Sequence, residues 1–171
     1  MENIEYYMKE LNMNLYTFEL LFASAIDEQI YWKPTPEKWS LLEVACHLLD
    51  EEREDFKPRL KSVLETPETP FTPIDPVAWV TERKYSEQQY NITLQAFARE
   101  RKKSLDWLDT LENAHWENSY LHPKVGPITG KMLLANWVAH DYLHIRQIVK
   151  LKYDFLAQHS SVDISYAGTW L

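Results

Sequence analysis

Glycine scarcity is the feature of this sequence that most limits the choice of fold. The 171 residues include three glycines and nine prolines. Sheet-rich proteins use glycine in hairpin turns and bulges, so this composition argues against a β fold and favours helices joined by proline-marked loops. Apolar residues make up 45% of the chain, as in ordinary globular proteins. The length suits one domain, which we predict to span residues 1–171.

Apolar residues recur at spacings of three and four in four long segments, which predicts four amphipathic helices. The predicted helices cover residues 3–30, 40–65, 86–111 and 129–156. The second should begin with a capping box formed by Ser40 and Glu43, and it should kink at Pro58. The third should begin with a similar box at Ser86, and Thr129 should cap the fourth.

The segments between these helices predict the connections of the fold. Residues 66–76 contain four prolines and form the clearest loop, followed by a short helical turn at 77–84. Residues 112–126 should form a second loop. The tail after residue 160 should be irregular, with Tyr166 and Trp170 packed back onto the helices. Four amphipathic helices so connected predict an all-α protein, an antiparallel four-helix bundle.

The formal net charge of −8 argues against nucleic acid as a partner, because phosphate binding needs clustered lysine and arginine. The N-terminal segment lacks the basic region and cleavage site of a signal peptide. No stretch approaches the ~20 apolar residues that span a bilayer. The single cysteine, Cys46, is consistent with a reducing compartment, and we expect a small buried side chain there and not a reactive thiol. The expectation is a cytoplasmic protein with no membrane partner.

His140 and His144 form the strongest local motif. Histidines four residues apart project from the same helix face, about 6 Å apart along the axis, and two such imidazoles can bind one metal ion. Both positions lie within or beside the apolar stripe of the last predicted helix, so both side chains should point into the bundle. A buried, unpaired polar group costs about 1–3 kcal/mol, so the pair needs polar partners. The motif alone leaves a structural, metal-free role open.

A third ligand has to come from elsewhere, and the remaining histidines are His47, His115, His122 and His159. His159 lies nearly four turns beyond His144, which disfavours it. His115 and His122 lie in the predicted loop, and spacing does not exclude them. His47 falls opposite the apolar arc of its helix and beside several acids, so periodicity predicts a surface histidine. It could still be a ligand if the site lies in a groove on the flank of the bundle.

Three stretches of the sequence resemble signatures of the DinB/YfiT-like superfamily. They are PEKWSLLEVACHL at residues 36–48, HPKVGPIT at 122–129 and WVAHDYLHIRQI at 137–148. The resemblance spans about residue 30 to the C terminus. It implies an up-down-down-up four-helix bundle in which His47 of the second helix and His140 and His144 of the last helix hold a metal ion.

Members of this superfamily include S-transferases and isomerases that use thiols such as bacillithiol and mycothiol, and proteins regarded as metal-dependent hydrolases. The resemblance therefore implies a divalent metal cofactor, for which zinc and nickel both suit imidazole ligands. Three histidines leave a coordination position open, which is typical of a catalytic site. We expect a thiol-dependent transferase first and a hydrolase as the alternative. A non-enzymatic, metal-binding stress-response module is the rival interpretation.

Some details of such an enzyme can also be predicted. Glu51, Asp141 and Gln147 are candidates to orient the imidazoles. No residue stands out as a general acid or base. We expect a small-molecule substrate, with a low-molecular-weight thiol as a partner, and a homodimer as the assembly.

Overall fold

The computed structural model describes residues 4–170, so the predicted helix start at residue 3 lies outside the described residues. In chain order the elements are α1 (Ile4–Ala23), α2 (Asp27–Tyr31), α3 (Leu41–Glu54), α4 (Phe56–Glu65), α5 (Pro76–Glu82), α6 (Tyr90–Leu108), β1 (Ser119–His122), β2 (Gly126–Thr129) and α7 (Gly130–His159). Helices dominate, and the two strands form one antiparallel hairpin. No helix within residues 4–170 combines the length and apolar character that crossing a bilayer requires.

Four helical segments, α1, α3–α4, α6 and α7, form the bundle, and their side-chain contacts give their directions. α3 and α6 run parallel, because Cys46 lies beside Thr93 and Glu52 lies beside Arg101. α1 runs antiparallel to α6, and α7 runs antiparallel to α3–α4. The contacting pairs are Phe22 with Tyr90, Phe18 with Phe97, His47 with His144 and Phe56 with Trp137. The predicted up-down-down-up bundle is confirmed.

The parallel arrangement of α3 and α6 requires a long connection between α4 and α6. Residues 66–89 supply it and include α5, which agrees with the predicted short helical turn. Asp75 caps α5 by accepting a hydrogen bond from the backbone N–H of Ala78. The remaining predicted caps agree in part. Ser40 and Glu43 form the expected capping box, and Thr129 accepts the N–H of Met132 at the start of α7.

The first predicted helix extends too far. α1 ends at Ala23, and the separate short helix α2 follows. Phe22 is buried, whereas Ile26 is 54% exposed although it continues the helical spacing. The apolar stripe therefore reaches the core only as far as Phe22, and packing no longer supports the helix beyond it.

The second predicted helix breaks at Asp55 and not at Pro58. Asp55 has φ −112° and ψ −86°, which separates α3 from α4. Pro58 is the third residue of α4, where the backbone N–H has no partner within the helix, so the proline is tolerated there. Because the helix breaks at Asp55, Pro58 falls in the first turn of α4.

Two further predictions in the connections are wrong. Ser86 lies in a 3₁₀ turn, and α6 begins at Tyr90 with no side-chain cap, because buried Tyr85 and Tyr90 anchor this segment through their hydroxyl groups. The predicted loop at 112–126 contains β1, and β2 begins at its end. Gly126, at φ +83°, closes this hairpin. In the tail, Trp170 packs on Tyr153 as expected, whereas Tyr166 is fully exposed.

A polar layer crosses the bundle between two apolar clusters. One cluster includes Phe18, Phe97 and Ile148, and the other includes Leu11 and Trp137. Between them lie the buried polar side chains Asn14, Glu52, Arg101 and Asp141. Each of the four bundle segments contributes one residue of this layer, so the layer fixes how the segments align along the bundle.

Arg101 is the centre of the polar layer and is 1% exposed. Its guanidinium donates to both carboxylate oxygens of Asp141 at 2.7 and 2.9 Å, to Glu52 at 2.9 Å and to the Leu11 carbonyl at 3.3 Å. Asn14 also donates to Asp141. One side chain of α6 thus contacts α1, α3 and α7.

We predict that Arg101→Met lowers the free energy of unfolding by about 3–5 kcal/mol, because it leaves two buried carboxylates without their cation. Urea denaturation measures the change. The matched control is Arg53→Met. Arg53 is exposed and lies 4.0 Å from Glu100, and this ion pair should contribute at most ~1 kcal/mol to the free energy of unfolding. A loss below ~1 kcal/mol for Arg101→Met would show that the layer does not hold the bundle together.

Candidate metal centre

His140 and His144 lie one turn apart on α7 and face the second bundle segment. Their Nε2 atoms are 3.1 Å apart, and their ring centroids are 4.4 Å apart. His144 is buried and His140 is partly buried. Phe56 packs on the His140 ring at 5.0 Å. The inward direction predicted from the apolar stripe is therefore confirmed.

His47 on α3 meets this pair. It is 5% exposed, and its Nε2 atom lies 3.4 Å from Nε2 of His140. The prediction of a surface histidine from periodicity is wrong, because two of the acidic residues beside it are themselves buried and paired. Glu43 caps α3 and binds Lys33, and Asp50 accepts the hydroxyl of Tyr85. The Trp39 ring, 4.9 Å away, covers His47.

The three histidines could together hold one metal ion. One ring nitrogen from each lies within 4.8 Å of the other two. Nitrogens bound at ~2.0–2.1 Å to a tetrahedral ion lie about 3.3 Å apart, close to the two shortest separations here. His140 Nε2 lies near the Nε2 atoms of both other histidines, but a ring nitrogen can donate or accept only one in-plane hydrogen bond. Hydrogen bonds alone therefore cannot pair all three nitrogens. A cation would accept all three lone pairs at once.

Burial keeps these imidazoles neutral, which metal ligation requires. Desolvation, together with the smaller effect of the neighbouring His144, lowers the pKa of His47 to about 3. Desolvation also lowers the pKa of His140 to about 2, with additional contributions from His144 and His47. The pKa of His144 is lowered as well, mainly by burial and against the effect of Gln147.

The residues expected to orient the imidazoles behave differently from one another. Gln147 Oε1 lies 2.8 Å from Nδ1 of His144, which leaves Nε2 of that ring for a ligand. Glu51 Oε1 is 3.9 Å from Nδ1 of His47, beyond hydrogen-bond distance. Asp141 points away from the rings and into the polar layer.

The other sequence candidates lie elsewhere. His115 is exposed, and Nδ1 of His122 accepts backbone N–H groups of its own turn. His159 stacks on Phe155 at the end of α7. Cys46 is buried as expected, and desolvation raises the pKa of its thiol to about 12, so the thiolate is disfavoured.

A cleft of about 700 Å³ opens beside the histidines. Trp39, which covers His47, and Gln147, which binds His144, both line it. This cleft also contains three cationic side chains that were not among the predicted site residues, Lys38, Arg146 and Lys150. Arg146 and Lys150 are four residues apart on α7 and therefore share one face of that helix, and this spacing is the signal that could have identified them.

Acid should destabilise the metal-free protein through these histidines. Unfolded histidines bind protons near pH 6.5, whereas folded His47 and His140 do so only near pH 3 and pH 2. The unfolded state therefore binds more protons between these values, and stability falls as pH falls. Between pH 7 and pH 5 each of these two histidines should contribute a loss of about 2 kcal/mol.

Urea denaturation in a chelator at pH 7 and pH 5 measures this effect. His47→Ala should reduce the pH-dependent loss by about 2 kcal/mol, and the exposed control His115→Ala should leave it unchanged. Equal pH dependence of wild type and His47→Ala would contradict the neutral, buried state of His47.

Comparison with known proteins places this geometry in context. The chain is similar to YfiT from Bacillus subtilis, described as a probable metal-dependent hydrolase with an unusual four-helix bundle topology. The two are 20% identical, with a TM-score of 0.78, and the match covers 88% of this chain and 86% of YfiT. This similarity shows a shared fold. No curated protein gave a significant sequence match.

A family model extends the comparison to the sequence. The model of the DinB superfamily matches residues 10–148, which include all three histidines of the candidate centre and the whole polar layer. The chain therefore belongs to the DinB superfamily.

Proposed function

We propose that His47, His140 and His144 hold one divalent cation, zinc or nickel, and that the protein is a metal-dependent enzyme acting on a small molecule. This proposal rests on the convergence of three neutral ring nitrogens, two of whose rings contact residues that line an open cleft, Trp39 and Gln147. Both metals suit imidazole ligands. Three protein ligands leave room for a further ligand, as in catalytic sites.

The roles of the chain's own residues follow from their contacts. Gln147 keeps the His144 ring in one orientation by its hydrogen bond to Nδ1. Trp39 and Phe56 exclude water from the backs of the His47 and His140 rings. The bound cation would lower the pKa of a water or thiol and so supply a nucleophile at neutral pH.

Two reactions fit this site, and they differ in the nucleophile. Hydrolysis uses water and is favoured by the similarity to YfiT, which is described as a probable metal-dependent hydrolase. Transfer to a low-molecular-weight thiol is favoured by the cleft, whose volume of about 700 Å³ has room for a thiol and an acceptor. The same cleft supports an enzyme over a metal-binding module without activity, because a closed structural site needs no opening beside it.

The purified protein should contain about one equivalent of zinc or nickel per chain, measured by mass spectrometry of the metal. His47→Ala, His140→Ala and His144→Ala should each lower this content at least about tenfold, since each removes one of three ligands. His122→Ala is the matched control and should retain full metal.

Far-ultraviolet circular dichroism should remain helical in all these variants, because the apolar clusters that hold the bundle are untouched. Full metal content in His47→Ala would show that His47 is not a ligand and would overturn the proposed three-histidine centre. Loss of metal only in the His122→Ala control would show that the metal binds at the β1–β2 hairpin and not at the three histidines.

Activity tests should compare the metal-loaded protein with the chelated protein and with His144→Ala. Hydrolysis is assayed with 4-nitrophenyl acetate and 4-nitrophenyl phosphate, and transfer with 1-chloro-2,4-dinitrobenzene plus cysteine or glutathione. We expect one of these reactions to depend on metal and to fall at least about 100-fold in His144→Ala. Equal rates in all three preparations, in every assay, would contradict an enzyme of either type.

A further inference from the structure

The cleft beside the histidines has an unusual charge for this protein. The whole chain carries a formal net charge of −8. The cleft is nevertheless lined by three cationic side chains, Lys38, Arg146 and Lys150, against one carboxylate, Asp154. A cationic cleft on an acidic protein concentrates the positive potential at one place, which favours the entry of an anion.

Two of these cations are available to a ligand. Lys150 is paired with Asp154 and lies over the Trp170 ring at 5.8 Å. Arg146 and Lys38, in contrast, are exposed and form no ion pair with any residue in the described range 4–170. They come from different parts of the chain, α7 and the segment before α3, and they line one cleft. A guanidinium and an ammonium so placed suit a carboxylate or phosphate group.

The remaining walls of the cleft are largely apolar. Trp39, Leu143, Leu151 and Trp170 line it, and Trp170 is held in place by Tyr153 at 5.3 Å. On α7, Leu151 and Gln147 lie on the side of the helix nearest the histidines, whereas Arg146 lies farthest around the helix from them. A ligand would therefore place its apolar part toward the histidines and its charge toward the rim.

We propose that the cleft binds a small organic anion, in which Arg146 and Lys38 contact a carboxylate or phosphate group and the two indoles, Trp39 and Trp170, cover an apolar portion. This inference rests on the proposed function, because it makes the cleft the substrate site of the same centre. It narrows the substrate to small molecules that combine a negative charge with an apolar portion.

The test uses a fluorescent probe with this combination of groups. 8-Anilinonaphthalene-1-sulfonate joins an apolar ring system to one anionic group, and N-phenyl-1-naphthylamine is the same ring system without the charge. Titrations use chelated, metal-free protein, so that the sulfonate cannot bind through a metal. The wild type should bind the anionic probe at one saturable site and at least about fivefold more tightly than the neutral one.

The double variant Arg146→Gln/Lys38→Gln should weaken the anionic probe at least about tenfold and leave the neutral probe within about twofold. The matched control is Arg99→Gln/Lys102→Gln, which removes two exposed cations of α6 and changes the net charge equally. It should bind both probes like the wild type. Competition by benzoate and by phenyl phosphate then distinguishes a carboxylate from a phosphate preference.

Wild-type affinity of the double variant for the anionic probe would overturn the proposal, as would equal affinity of the wild type for the two probes. Failure of the metal centre is distinguishable from failure of the cleft. His144→Ala removes a proposed metal ligand and no cleft cation, so it should lose metal and keep probe binding within about twofold. A defect of the cleft would instead appear in probe binding with the metal content unchanged.

Discussion

The ion pair between Arg101 and Asp141 is the interaction on which the rest of this structure depends. Both side chains are fully buried, and the guanidinium also binds Glu52 and the Leu11 carbonyl. Removing charges from water is costly, so such a pair is stabilising only while every partner is in place. An axial shift of one helix by a single turn, about 5.4 Å, would separate these partners. The layer therefore selects one alignment of the four segments.

This alignment determines the candidate centre. Asp141 lies between His140 and His144 in sequence, and Glu52 lies on the same helix as His47. When Arg101 binds both acids, α3 and α7 are held at the level where the three imidazoles meet. The polar layer and the histidines thus use neighbouring faces of the same turn of α7, because Asp141 directly follows His140 in the helix. The ion pair joins α7 to α6, and His140 on the neighbouring face of α7 meets His47 of α3.

The sequence predicted the parts of the fold that depend on local patterns. Helical spacing identified the four bundle segments, and the Ser40 and Thr129 caps marked two of their starts. Breaks that depend on tertiary packing were missed, as at Asp55, where the chain bends before a tolerated Pro58. Periodicity also placed His47 at the surface, because a helical-wheel prediction assumes that acidic residues face solvent. Acids such as Glu43 are instead buried and paired. The resemblance to a family, and not the spacing, identified His47, and no local signal marked Arg101 as buried.

X-ray absorption spectroscopy of the protein loaded with one equivalent of zinc tests whether His47, His140 and His144 hold the metal ion. We expect three nitrogen neighbours at ~2.0–2.1 Å with the outer-shell scattering of imidazole, together with a further light atom in the open position. A spectrum with fewer than two imidazoles, or with oxygen neighbours alone, would show that the metal binds elsewhere and that the converging histidines are a structural cluster.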